Sequence, residues 1–474
     1  MKLERTTFEL SRELEYFDEK ELEMQIGQDV EWWPVAILKE LIDNALDACE
    51  CAGVAPDIRV CIEDDALTVE DNGPGIPAET VKGSLDYLKR VSDKLFYVSP
   101  TRGQLGNALK VVWAAPFVQS GKSGRVEVSA RGVTHTIEVS LDRIRQAPAI
   151  AYATCEGGRE TGTSLRVEWP DLASILDVAK SPYSYNPPPP AELVEGFAAL
   201  NPHATFHLGR GMHPPGDLSP ETVADIRAFA RSPKTRSLRN LVAEGAARER
   251  EWDGARTYPA SDPAWQKWRP DLPTSPHWYT PETLRDLIAA YVAREQETGR
   301  ARTVREFISE FRGLSSTAKQ KAVTNGFSGI HLRELVEDGD IAMPRVEKLL
   351  EAMKGASRPV PPAMLGVIGK EHLTRWMGTF AGVNPESVRY SRRTGEDSGQ
   401  PFVVEVAFGI RGDDDRRRLV TGLNWTPALG EAVPALRTVL SQMRIDPDDP
   451  VTVVVHLARP RFAFTGHGKG EVAL

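Results

Sequence analysis

The stretch Glu40-Leu41-Ile42-Asp43-Asn44-Ala45-Leu46-Asp47-Ala48-Cys49 decides how this chain is read. It lies inside a predicted helix over 34–52. Pro34 suits a first helical position, and Gly53 follows the last apolar residues. At about 100° per residue, Glu40, Asn44 and Asp47 fall within about 60° of one another. Ile37, Leu38, Leu41, Ile42, Ala45, Leu46 and Cys49 occupy mostly the other side. One face is therefore core, and the other carries acid, amide and acid. Taken alone, such a pattern also describes an ordinary solvated helix face.

Three further features flank that helix. Val69-Glu70-Asp71-Asn72-Gly73-Pro74-Gly75-Ile76-Pro77 closes a predicted strand at 67–70, which follows another at 58–63. Glycines at 73 and 75 permit positive φ and close backbone approach to a ligand. Asp71, at the strand end, can accept a hydrogen bond from an exocyclic amine, although a tight turn accounts for the glycines equally well. Thr101-Arg102-Gly103-Gln104-Leu105-Gly106-Asn107-Ala108-Leu109 is a glycine loop running into an apolar helix, where backbone N–H groups can bind phosphate. Thr161-Gly162-Thr163 enters a predicted strand at 164–168. Other motifs fail. Gly121-Lys122-Ser123 resembles the end of a P-loop, but Pro116 stands where its first glycine belongs. Gly73 and Gly75 do not continue into a dinucleotide fingerprint, because residue 78 is Ala. There is no serine-hydrolase elbow.

Farther out, composition sets bounds. A chain of 474 residues is too long for one core and implies two to four domains. Hydrophobic content of 41% and charged content of 26% are those of a globular protein without membrane spans, and no apolar run approaches the roughly 20 residues a membrane helix needs. The first fifteen residues are charged and lack an apolar signal core, so a cytoplasmic location is expected. Cys49, Cys51, Cys61 and Cys155 do not have zinc-site spacing and read as free thiols in a reducing compartment. A net charge of −9 argues against a whole surface that attracts nucleic acid. Local basic runs remain at Arg227, Arg231, Lys234, Arg236 and Arg239, and at Arg416, Arg417 and Arg418.

Helices and strands alternate to about residue 206, with expected elements that include a helix over 80–91 and strands over 125–141 and 163–169. The run Tyr185-Asn186-Pro187-Pro188-Pro189-Pro190 is stiff and is not expected to join a regular element. The stretch 207–275 is rich in Arg, Pro and Gly. A helical stretch over 281–354 follows, with Leu284, Leu287, Ile288 and Tyr291 at helical spacing. Strand patterns return after Phe402, at 403–408 and 451–457.

In this order and spacing, the four features together resemble the GHKL ATPases, a superfamily that includes gyrase B, MutL-type repair proteins, histidine kinases and the large heat-shock chaperones. Glu40 to Asp47 is similar to their first box, Asp71-x-Gly73-x-Gly75 to the second, and the lid at 102–106 and Thr163 to the rest. Within the superfamily, the wording at 40–49, 69–77 and 102–104 looks most like the B subunit of DNA topoisomerase VI. So do Ala199-Leu200-Asn201-Pro202-His203-Ala204, the stretch 303–319, Pro361-Pro362-Ala363-Met364-Leu365 with Ile368-Gly369, and Phe464-Thr465-Gly466-His467-Gly468-Lys469.

The resemblance implies an α+β chain. A Bergerat-type α/β sandwich would cover 1–206, a linker or insertion 207–280, a helix-two-turns-helix-like module 281–360 and a transducer-like β-α domain 361–474. It implies Glu40 as general base and Asn44 as the Mg²⁺ ligand. Asp47, Asp71, Gly73, Gly75 and Thr163 would form the ATP cradle, with Asp71 reading the adenine amine. Arg102, Gly103, Gln104 and Gly106 would form a lid over the phosphates, and Lys469 would reach the γ-phosphate from the second domain. The partners it implies are DNA, a second copy of the chain in an ATP-dependent homodimer, and a cleavage protein like the A subunit of topoisomerase VI. No membrane is involved.

Two features depart from the family. Ala108 stands where its lid has a third glycine. The chain also ends at Leu474, where the transducer of the family continues into a long helix that holds the cleavage subunit. The latter favours an alternative: a stand-alone MutL- or MORC-like ATP switch that recruits an effector or nuclease in DNA repair or phage defence. The intact Glu40 argues against a nucleotide scaffold without turnover, and no helix with a phospho-accepting His precedes the site as in a histidine kinase.

Overall fold

The computed structural model describes residues 12–89, 95–102, 108–122, 124–178, 188–210, 256–327, 329–412, 416–430, 432–464 and 472. A short helix, α1 (Glu19–Ile26), starts at Asp18, whose carboxylate accepts from the Glu21 N–H, and ends at Gly27 with φ 73°. It leads into α2 (Trp33–Ala52), with Pro34 in its first turn and a left-handed Gly53 at its end, as the sequence predicts. The expected apolar face of α2 is buried. Its polar face is also largely covered, since Asp43, Asp47 and Glu50 are buried.

Around α2 the chain builds a sheet from β1 (Asp57–Ile62), β2 (Ala66–Glu70), β3 (Gly124–Ala130), β4 (Val133–Asp142), β5 (Ala147–Glu156), β6 (Thr163–Glu168), β7 (Thr205–Arg210) and β8 (Arg256–Tyr258). The spatial order is β5-β4-β3-β6-β2-β1-β7-β8. The β1–β7 pair is parallel and the other neighbours are antiparallel. Helices α2, α4 (Ala108–Ser120) and α6 (Pro190–Leu200), the last preceded by the short α5 (Leu172–Val178), pack against β2, β3 and β7. Burial along β3 alternates, with Val126 and Val128 in the core and Arg125 and Glu127 half-buried on the other face. This is the expected α/β layer architecture, within an α+β chain.

Local differences from the sequence reading have physical causes. The helix expected over 80–91 is α3 (Ala78–Gly83) and stops early. There the Ser84 hydroxyl donates to the Val81 carbonyl (2.6 Å), and the buried Lys110 ammonium donates to the carbonyls of Asp86 and Lys89. The expected strand over 125–141 is the β3–β4 hairpin, turned at Arg131 and Gly132, both with left-handed φ (52° and 73°). Pro190 does join a regular element: it opens α6, where its missing N–H costs nothing. The sheet also runs past residue 206, through β7 and β8.

The middle of the chain folds as helices Pro281–Thr298, Val304–Ser309, Thr317–Val323 and Met343–Ala356, with a small ribbon of β9 (Val336–Glu337) and β10 (Asp340–Ile341). Leu284, Leu287 and Ile288 are buried as their spacing predicts, and Tyr291 is half-buried. The C-terminal part carries a second sheet of β11 (Arg389–Asp397), β12 (Gln400–Ile410), β13 (Arg418–Leu423), β14 (Thr426–Pro427) and β15 (Val451–Ala458), in the order β11-β12-β15-β13-β14. Buried Glu405 ties this sheet to helix Lys370–Phe380 by accepting from the N–H groups of Ile368 (3.0 Å) and Gly369 (2.9 Å) at the helix start. Burial opposes its ionisation. His456 and those two N–H groups outweigh burial and bring the carboxyl down to about 2.

Most of the buried apolar side chains form one continuous cluster from Tyr16 to Ala458, so the three parts share a core, and Leu440, Val453 and Val455 form a small second cluster at the C-terminal sheet. Cys49 and Cys61 are buried and outside any disulfide, whereas Cys51 and Cys155 are exposed. Among the described residues, no helix is long and apolar enough to cross a membrane and no side-chain cluster has the makings of a metal site built from His, Cys, Asp and Glu.

Candidate functional site

A cavity of about 630 Å³ opens along the polar face of α2, a size that suits a small-molecule ligand. Glu40, Asn44 and Asp47 of α2 line it, together with Asp71, Gly75, Arg102 and Thr163. The far wall comes from the C-terminal part of the chain and includes Asn424, Thr426, Arg461 and Phe462. The turn after β2 is held in shape by Asp71. Its Oδ1 accepts from the N–H groups of Gly73 (2.8 Å) and Thr163 (3.2 Å), and its own N–H donates to the Thr163 carbonyl (2.9 Å). Burial raises the Asp71 carboxyl above the usual range, and these N–H donors pull it back only in part. Gly75 and Gly162 both have left-handed φ (77° and 74°), and a Cβ at Gly162 would run into the Asp71 carbonyl oxygen. Gly73 lies behind the cavity wall, tucked against Asp71 and Cys49. The Thr163 hydroxyl accepts from the Ile76 N–H (3.2 Å), so β6 and the glycine turn brace each other.

On α2, the three polar residues of the predicted face have different surroundings. Asn44 is exposed to the cavity. Glu40 is half-buried, and its Oε1 accepts from Lys39 Nζ at 3.2 Å. Lys39 also donates to Asp43 Oδ2 at 3.1 Å. Burial would lower the Lys39 ammonium's pKa, but Asp43 and Glu40 together hold it above the usual lysine range. Burial keeps the Asp43 carboxyl raised despite Lys39. The other oxygen of Asp43 accepts from the Thr426 hydroxyl at 2.6 Å, across 383 residues of sequence.

Asp47 points into a buried ionic cluster centred on Arg102. The guanidinium donates to Asp47 Oδ1 (2.7 Å), to both oxygens of Glu50 (2.8 Å each) and to Asn201 Oδ1 (2.6 Å). Lys267 Nζ lies 2.7 Å from Glu50, and His203 Nε2 bonds the same carboxylate at 2.9 Å. Burial works against Glu50 ionising, but Arg102 and Lys267 hold it well below the usual carboxylate range. Burial likewise disfavours charge on Arg102, and Glu50 and Asp47 reverse this, so that it stays a cation. Arg102 thus pins the base of the glycine loop to α2. Gly103, Gln104 and Gly106 of that loop, and Lys469, lie outside the described residues.

Several cavity residues were not singled out by the sequence. Lys39 lines the cavity and pairs with Asp43, buried in α2, at i, i+4 spacing, a pairing signal that was legible. Asn424, Thr426 and Arg461 arrive from distant sequence, and no local pattern announces them. Of the two basic runs, 227–239 lies outside the described residues. In the other, Arg418 pairs with Glu195 and lies over the Trp376 ring, and Arg417 donates to the Ile445 carbonyl (3.0 Å). Two of those three guanidinium groups are therefore occupied within the fold.

Residues 30–170 match the family described as histidine kinase-, DNA gyrase B-, and HSP90-like ATPase, and the chain carries an ATPase domain of that family. Along most of its length it is similar to the B subunit of type 2 DNA topoisomerase 6. It is 26% identical to that protein of Archaeoglobus fulgidus over 468 residues, covering 93% of this chain. It is 25% identical to that of Methanococcoides burtonii over 470 residues, again 93% of this chain. It is 31% identical to that of Natronomonas pharaonis over 210 residues, 41% of this chain. The chain spans 66%, 64% and 24% of the lengths of these relatives, less than two thirds of each. Among solved structures, the ATPase region of Saccharomyces cerevisiae topoisomerase II aligns over 93% of this chain and 76% of that one, loosely, with a TM-score of 0.37 and 8% identity.

Proposed function

We propose that the chain is a Mg²⁺-dependent ATPase that closes as an ATP-gated homodimeric clamp on DNA and works with a cleavage partner like the A subunit of topoisomerase VI. One observation carries this reading: the cavity that gathers Glu40, Asn44, Asp71 and Thr163 takes its far wall from the C-terminal domain. A ligand there touches both parts of the chain, and differential contact of this kind can shift a conformational equilibrium.

The residues fit the ligands. Asp71, with one oxygen occupied by backbone donors, would receive the adenine amine on its carboxylate. Gly75 leaves room for close approach, and Thr163 keeps the turn in register. Asn44 offers an amide oxygen on the open wall, a donor suited to a hard cation. Bound magnesium would neutralise phosphate charge. Glu40, beside Asn44, would accept the proton of the attacking water. Arg102 and Asp47 would hold the base of the loop 103–107, whose Gly103, Gln104 and Gly106 would wrap the phosphates. Lys469 would contact the γ-phosphate.

The occupied state of Arg417 and Arg418 favours a second reading, a stand-alone MutL- or MORC-like switch that recruits an effector. One experiment separates the two. Light scattering with Mg²⁺ and a non-hydrolysable ATP analogue should show the mass doubling, and the closed dimer should retain circular DNA through a high-salt wash. An unchanged mass would reject the clamp. Doubled mass without DNA retention would leave the switch.

A further inference from the structure

We propose that Arg461, from the C-terminal domain, is a nucleotide-binding residue: its guanidinium takes the phosphate chain of a nucleotide held in the cavity. The inference rests on the reading of the cavity as an ATP site and adds a contact that neither the motifs nor the glycine loop supply. A nucleoside triphosphate brings several negative charges into a confined space. A guanidinium answers them with a planar fork of N–H donors, which can hold two phosphate oxygens at once. Arg461 lines the cavity and is exposed.

Among the described residues, the cationic side chains that line the cavity are Lys39, Arg102, Lys110, Arg131 and Arg461. The first four are committed. Lys39 is shared by Glu40 and Asp43. Arg102 is held by Asp47, Glu50 and Asn201. Lys110 donates to the carbonyls of Asp86 and Lys89. Arg131 donates through Nε to the Gly75 carbonyl (2.9 Å) and lies along the glycine turn at Asp71. Arg461 has no hydrogen bond or ion pair among the described residues. A guanidinium left without an acceptor on the wall of a cavity is free to take an anionic ligand, and no bond within the fold has to break first.

The backbone on either side of Arg461 is fixed while its side chain is not. Arg459, just after β15, donates its N–H to Asn424 Oδ1 (3.0 Å), and its guanidinium lies 3.5 Å from Asp397 Oδ2. Pro460 is buried, and its ring sets φ. Phe464, farther on, pairs with Val472 in a β-bridge. A segment ordered in advance lowers the cost of ordering when its side chain takes a ligand. The same contacts place Arg461 near the glycine loop. Asn424, which receives the Arg459 N–H, donates from Nδ2 to the Thr101 carbonyl (3.3 Å), and Thr101 opens the segment that leads into that loop. The loop is where backbone N–H groups would gather phosphate. Arg461 thus enters from the C-terminal side toward the phosphates, whereas Arg131 belongs to the turn at Asp71.

The test is equilibrium binding of two probes to the full chain, for wild type, Arg461→Gln, Arg461→Lys and Arg459→Gln. The probes are adenylyl imidodiphosphate with Mg²⁺, followed by calorimetry, and adenosine, followed by ligand-observed NMR. Arg461→Gln should weaken the triphosphate analogue about ten- to thirtyfold, the loss of a hydrogen-bonded charge contact. It should leave adenosine, which has no phosphate, unchanged. Arg461→Lys should fall between, because it keeps the charge and loses the fork. Arg459→Gln removes the same charge from the same segment and should leave both probes unchanged. Equal affinity of wild type and Arg461→Gln for the analogue, an equal loss for adenosine, or an equal loss in Arg459→Gln would overturn the proposal. A wild type that binds neither probe would instead bring down the ATP reading beneath it.

Discussion

Asp71 is raised by burial, yet two backbone N–H groups occupy one of its oxygens. An Asp71→Asn change keeps an acceptor for those N–H groups and puts an amide NH₂ where the second carboxylate oxygen was. If that oxygen receives an exocyclic amine, donor then faces donor, and ATP binding should weaken by about 1.5–3 kcal/mol. Isothermal calorimetry with ATP measures this, and equal affinity would remove Asp71 from adenine recognition. At this scale the sequence was most legible where periodicity carries information. Glu40 and Asn44 stand one turn apart on α2, and both line the cavity. Asp43 lies only about 40° from Asp47 around the same helix, so its place on the polar face could have been read as well. Its bond to Thr426 could not, because that contact depends on how two distant parts pack.

Among the elements, α2 is buried on nearly every side, and the burial of its polar face requires the Arg102 cluster. Removing one member of a buried ion cluster leaves its partners unpaired, at a cost of about 3–5 kcal/mol. Arg102→Met should therefore lower unfolding stability by that order in chemical denaturation, without nucleotide present. Unchanged stability together with lost ATP affinity would place Arg102 on the phosphates instead. The sequence located α2, β1, β2 and β6 to within a residue or two, because their apolar patterns are local. It passed over β5, whose alanine-rich run carries Pro148. That proline is tolerated because β5 is an edge strand of its sheet, a fact that belongs to the sheet and not to the segment. The end of α3 was hidden for a similar reason, since Lys110 of α4 binds the carbonyls beyond it.

Across the whole molecule, the ATPase domain is gripped from two directions. The stretch before the glycine loop is held by the middle of the chain: the Val98 N–H donates to Tyr279 Oη (3.0 Å), and the Thr274 hydroxyl donates to the Val98 carbonyl (2.5 Å). From the C-terminal side, Arg418 pairs with Glu195 of α6, and the Asn424–Trp425 turn meets Thr101 and Asn201. The second grip reaches Thr101 and Asn424, which border the cavity, so on the proposed reading a nucleotide held there would be linked to the domain arrangement. The proposed function depends on this cavity turning ATP over with Glu40 as base. The most direct test is paired measurement of bound ATP and released phosphate in wild type and Glu40→Ala. The wild type should release phosphate. Glu40→Ala should bind ATP with similar affinity and lose turnover by about 10²–10⁴-fold, the share a general base contributes. Phosphate release by Glu40→Ala at the wild-type rate would contradict it.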